Sequence, residues 1–144
     1  MSGIKKLDIL LKSMKPERIK GEFVFCTISK ENFSKIKIAP LLIFHEKEGV
    51  TIIVEKELAD KMNFQYQNTW AMITLSVHSD LAAIGFLAVI TKKLAEEGIS
   101  VNAVSAYYHD HLFVPYEKVQ SALKALKEIS NCLISNSQIL KCSK

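Results

Sequence analysis

The side chains with the most evident chemical potential lie in SAYYHDHLFVP, Ser105–Pro115, where His109 and His111 flank Asp110 and Tyr107 and Tyr108 come just before. Imidazoles and a carboxylate at this spacing suit three roles: metal ligands, a base with its orienting acid, or the polar turn of a hairpin. A metal site needs at least three converging ligands. Two histidines two positions apart face the same side only on a regular strand, a tight turn between them would part them, and no third ligand is evident. A His–Asp pair in acyl transfer needs a nucleophile on a sharp turn, and neither Ser79 nor Ser105 stands in such a context. The turn reading asks least of the chain: Asp110 bonds turn amides and the histidines pack on its rim.

Whatever these residues do, other elements must position them. The chain has 144 residues, 49% of them hydrophobic, enough for one ordinary domain or two small ones packed closely. Its longest apolar runs, such as Leu81–Ile90, are too short to cross a bilayer, and the N-terminus carries lysines without the apolar stretch of a signal peptide. A soluble cytoplasmic protein is the expectation. The net charge of +4 comes from scattered lysines and one arginine, Arg18. That pattern reads as a solvated surface rather than a nucleic-acid footprint. Cys26, Cys132 and Cys142 follow no metal spacing and read as reduced thiols.

Along the chain, apolar spacing predicts a helix over residues 3–14, closed by Pro16 and Gly21, then a strand over Glu22–Ile28. Ser29–Ala39 reads as a loop or a short helical turn. Pro40–His45 and Val50–Val54 form a hairpin signal in which Gly49 can take the positive φ of a tight turn. A helix over Glu55–Met62 and a strand over Trp70–Val77 follow. The strongest helix spans Leu81–Glu97, with Ser79 or Asp80 as its cap and Gly98 as its stop. Ser100–Tyr107 and Leu112–Val114 read as strands around YHDH, and Tyr116–Ile129 as a helix with Val119, Ala122, Leu123 and Leu126 inward.

A weak internal repeat organises these elements. LLIFHEKEGVTIIVEKELADKM and AVSAYYHDHLFVPYEKVQSAL both run strand, polar turn, strand, helix, and Val54 and Glu57 are spaced as Val114 and Glu117 are. Two βαββα-like units result, the first one eroded. The class is α+β, ferredoxin-like, with an antiparallel sheet carrying helices on one face. The other face needs a cover, which makes a homodimer the physical expectation.

Ser76–Pro115, with its HS loop, GFLA helix start, GIS-VN and YHDHLFVP, resembles an ACT domain, and the chain to about Ile129 is similar to small tandem ACT proteins of the ACT_7 type, formerly DUF2241, related to ACT-based arginine sensors. The resemblance implies tandem βαββαβ units: a degenerate one over 1–66, an ACT domain over 67–130 and a tail over 131–144. It also implies binding of a small molecule, an amino acid by preference, at His78, Ser79, Asp80, Leu81 and Gly85, then Val101, Asn102 and Ala103, with His109 and Asp110 at the rim of the site or an interface. No cofactor, metal, catalytic residue, nucleic acid or membrane is implied. The sequence departs from the family loop in lacking Pro-Gly directly before the helix, and Ser100 stands where asparagine is frequent.

The loop chemistry suits such a role independently. A helix start offers N–H groups and partial positive charge to a carboxylate, Gly85 permits close approach, Asn102 offers a donor and an acceptor, and Asp80 can meet an ammonium. Each also has a bland role: Ser79 and Asp80 as caps, Gly85 as a packing residue, Asn102 as a strand-start bond. Three functions follow: an amino-acid-binding regulator, an interaction module with an empty pocket that contacts an unidentified protein, or an enzyme using His109, Asp110 and His78.

Overall fold

The computed structural model describes residues 6–135. In chain order the elements are α1 (Leu7–Ser13), β1 (Pro16–Ile28), α2 (Lys30–Lys35), β2 (Leu42–His45), β3 (Val50–Glu55), α3 (Lys56–Lys61), β4 (Trp70–Leu75), α4 (Phe86–Glu96), β5 (Asn102–Ser105), β6 (Asp110–Pro115), a 3-10 turn (Tyr116–Lys118) and α5 (Val119–Ser135). The fold is α+β and ferredoxin-like, as expected from the element order. Contacts divide it into two units, one of residues up to Lys20 together with those from Ala71 on, the other Gly21–Trp70.

In the Gly21–Trp70 unit the strands lie in the order β2-β3-β1, with β1 and β2 each antiparallel to β3. Period-two alternation turns Val24, Cys26, Ile28, Val50, Ile52 and Val54 to one face, where they form a core with Ala59 of α3. Ser29 caps α2 by accepting the Asn32 N–H at 3.1 Å, which turns the stretch expected to be loop or helical turn into a six-residue helix. The β2–β3 hairpin closes through Glu46 N–H to Gly49 O at 2.8 Å. Gly49 is not among the residues with positive φ. Its glycine answers a different need, since a Cβ there would stand 2.9 Å from the Ile28 carbonyl oxygen.

In the other unit the order is β1-β4-β6-β5, and the β1 residues that belong to it are Pro16–Lys20. The helix ends at Ser13, ahead of Pro16, as expected, but Gly21 lies inside β1, and the expectation that the strand starts at Glu22 is corrected: it starts at Pro16. A polar run, PERIK, hides it from pattern reading, because its side chains are exposed or half-buried. Ala71, Ile73, Leu75, Leu112 and Val114 face the helices, and Leu10, Leu11, Phe86, Ile90, Leu94, Ala122, Leu126 and Ile129 close over them. Each of the buried Val, Leu, Ile and Phe side chains contributes about 1.5–3 kcal/mol relative to exposure. Lys93 ties α4 to α5 through Glu128 at 3.1 Å, and Ser130 Oγ donates to Leu11 O at 2.9 Å.

On the opposite sheet face Met72, Thr74 and Phe113 are already buried within the single chain. The premise of an uncovered apolar face in this unit therefore does not hold. Two further expectations change. Cys132 is disulfide-bonded rather than reduced, while Cys26 is a free, buried thiol whose pKa burial raises. α5 runs to Ser135, so part of the expected tail continues a helix, and residues 136–144, including Cys142, lie outside the described residues.

Candidate functional site

The site is built where β4 ends and α4 begins. Leu75 leads into Ser76–Gly85, and α4 starts at Phe86, five residues later than the apolar pattern suggests. Gly85, at φ 86°, is the reason: this left-handed residue cannot continue a helix backwards, and the preceding stretch forms a turn of its own. Ala83 N–H donates to Asp80 O and Ala82 N–H to Asp80 Oδ1, both at 2.8 Å. Asp80 thus organises a turn rather than capping the helix. Gly85 provides no side-chain cap, so the first-turn amides of α4 keep no side-chain acceptor from that position.

Ser79 does not cap the helix either. Its hydroxyl donates to Asp110 Oδ2 at 2.9 Å, and Ser105 Oγ donates to Oδ1 at 2.6 Å. Asp110, 6% exposed, opens β6 opposite Ser105. Alternation puts it on the same face as Leu112 and Val114, the helix-covered one. The expected role of Asp110, bonding turn amides, is replaced by this double bond to serine hydroxyls. The hairpin turn lies earlier, at Ala106–His109, closed by Ala106 N–H to His109 O at 3.0 Å.

Because the turn ends at His109, it does not lie between the two histidines. Their rings stand 6.5 Å apart. His109 Nδ1 lies 3.3 Å from Val77 O and His111 Nδ1 2.9 Å from Thr74 Oγ1. Burial, with a smaller push from His109, lowers the His111 pKa below its usual 6.5 despite the opposite pull of Asp110. Among the described residues no group of three His, Cys, Asp or Glu side chains could hold a metal ion.

A cavity of about 80 Å³ sits among these residues, lined by Ser79, Asp80, Leu81, Ala83, Gly85, Phe86, Leu87, Ser105 and Asp110. Of the residues expected at a site, Ser79, Asp80, Leu81, Gly85 and Asp110 come together here. His78 does not line the cavity; its ring lies 5.5 Å from that of Tyr108. Val101, Asn102 and Ala103 do not line it either. Asn102 pairs with Phe113 and Ala103 with Leu112 across β5 and β6. Ser105 was missed, although its register opposite an inward acid was a usable signal.

Residues 2–71 match one ACT-domain family model and residues 65–128 match a second. A crystal structure of a Vibrio cholerae protein of unknown function, described as a possible transport protein, is 43% identical and covers 90% of this chain and 99% of that one, with a TM-score of 0.76. The chain belongs to the ACT-domain family. This ACT protein is also similar in fold to an Agrobacterium tumefaciens protein, at 14% identity, 81% and 89% coverage and a TM-score of 0.64. The ligand-free regulatory subunit of aspartate kinase from Thermus thermophilus is similar too, at 12% identity, 82% and 98% coverage and a TM-score of 0.62. Among curated proteins none matches the chain. ACT domains are in general regulatory modules that bind small molecules such as amino acids, and two such family models match this chain. No helix of the described residues is long and apolar enough to cross a membrane.

Proposed function

We propose that this ACT protein is a non-catalytic regulatory module that binds a free amino acid in the cavity between the Ser76–Gly85 loop, the start of α4 and the β5–β6 hairpin. The observation that carries the reading is the convergence of the Asp110 carboxylate, the Ser79 and Ser105 hydroxyls and the α4 start on one cavity. A helix start favours a carboxylate through its N–H groups and partial positive charge. A zwitterion then has a partner for each end. The alternative of an enzyme using His109, Asp110 and His78 has less support: both Asp110 oxygens accept from serine hydroxyls, His109 Nδ1 lies 3.3 Å from Val77 O, and the His78 ring lies 5.5 Å from that of Tyr108.

The proposal extends to a homodimer acting in the cytoplasm and signalling by contact with a protein partner. Support for an assembly surface comes from edge strand β2 and its approach, where Leu41, Ile43 and Phe44 are exposed. Sedimentation at micromolar concentration checks the dimer, and a stable monomer would contradict it. The Cys132 disulfide is unusual for a reducing compartment. Thiol labelling of protein taken from intact cells therefore checks the location.

The binding claim is tested by titration calorimetry and thermal shift against each of the twenty amino acids. Binding by one or a few, with a rise in melting temperature, is expected. No response to any of them would shift the reading to an interaction module with an empty pocket.

A further inference from the structure

The Asp110 carboxylate is almost fully buried and is held by two neutral donors, Ser79 Oγ at 2.9 Å and Ser105 Oγ at 2.6 Å. Among the described residues no lysine or arginine lines the cavity, whose second acid is Asp80. His111, the next residue, does not reach it, because alternation along β6 turns its ring to the opposite sheet face, where Nδ1 lies 2.9 Å from Thr74 Oγ1. A buried carboxylate without a cation is costly. The fold does not demand one. In the other unit the equivalent strand β3 is buried at its first, third, fourth and fifth residues, as β6 is, and His45 pairs with Val50 as Ser105 pairs with Asp110. Val50 stands where Asp110 does and is buried in an apolar cluster.

We infer that Asp110 anchors the cationic group of the ligand, a primary ammonium, so that the cavity selects amines over otherwise identical hydroxy compounds. The inference rests on the reading of this cavity as a ligand site. Each carboxylate oxygen has a second lone pair beyond the one its serine uses, and an ammonium brings three N–H donors to meet those lone pairs and the serine oxygens. The contact is charge-assisted on both sides and falls on a carboxylate that is itself only 6% exposed, where such bonds are stronger than in open solvent. A hydroxyl in place of the ammonium brings one neutral donor and leaves the carboxylate charge uncompensated.

The test uses the full chain and a panel of probes: the twenty amino acids, their 2-hydroxy acids, their decarboxylated amines, and methylamine, ethanolamine and putrescine. For every amino acid that binds, the hydroxy acid is expected to bind at least about tenfold more weakly, and Asp110→Asn to lose a similar factor. Equal affinity of amino acid and hydroxy acid, or unchanged affinity in Asp110→Asn, overturns the inference while leaving amino-acid binding intact. Binding of amines but of no amino acid retains the ammonium anchor and rejects the amino-acid reading. Binding of none of the probes rejects both. The comparison within wild-type protein needs no variant, so it stands even if Asp110→Asn folds poorly.

Discussion

At the scale of single residues, the two serines on Asp110 differ in exposure, and that sets the cost of removing them. Ser79 is buried, so Ser79→Ala leaves Asp110 Oδ2 short of a donor and should destabilise the protein by about 1–3 kcal/mol in urea denaturation. Ser105 is exposed and water can replace its hydroxyl, so Ser105→Ala should cost less than about 1 kcal/mol. His111 makes stability depend on pH. Its folded pKa lies below the unfolded value of 6.5, mainly through burial and next through His109, so the unfolded chain binds the proton more readily. Its contribution is complete above the unfolded value and is lost progressively as the pH falls from there through the lower folded value. Denaturation midpoints measured from about pH 8 down to about pH 5 should fall, and the fall should be shallower in His111→Gln. An unchanged slope in that variant would contradict the assignment.

At the scale of elements, two glycines serve different ends. Gly85 sits at φ 86° at the head of α4, so Gly85→Ala should cost about 1–2 kcal/mol in backbone strain. A Cβ there would point at Leu7 Cδ2, 3.4 Å away, so its first effect is on folding rather than on filling the cavity. Gly49→Ala should cost about 1–3 kcal/mol by pushing the turn off the Ile28 carbonyl. The same elements show what could be read from sequence. The β2–β3 hairpin, α3, the end of α4 at Gly98 and the inward stripe of α5 follow from apolar period and turn residues, and they emerged close to where they were expected. The N-terminal half of β1 did not, because PERIK has no apolar alternation and its place as a strand depends on pairing distant in sequence. The late start of α4 did not either, because LAAI is helix-compatible and only the φ of Gly85 excludes it. For the site, Ser79, Asp80, Leu81 and Gly85 were legible through the family likeness. The inward face of Asp110 was legible in the alternation with Leu112 and Val114, but a histidine on each side made a turn the simpler reading.

At the scale of the whole molecule, two ACT-domain matches in one chain do not imply two ligand sites. The Gly21–Trp70 unit has Val50 where the other has Asp110, and Ser29 leads β1 directly into α2 with no counterpart of the Ser76–Gly85 loop. Calorimetry should therefore return one ligand per chain, and a stoichiometry of two would contradict the assignment of a single site. The central claim, that the cavity beside Asp110 receives an amino acid, is tested most directly by amide NMR shifts during titration with whichever of the twenty amino acids binds. The amides of Ser79–Leu87, Ser105 and Asp110 are expected to move together along one saturating curve, with Val24–Ile28 and Val50–Val54 unmoved. Saturating shifts confined to Gly21–Trp70, with the α4 start still, would contradict it.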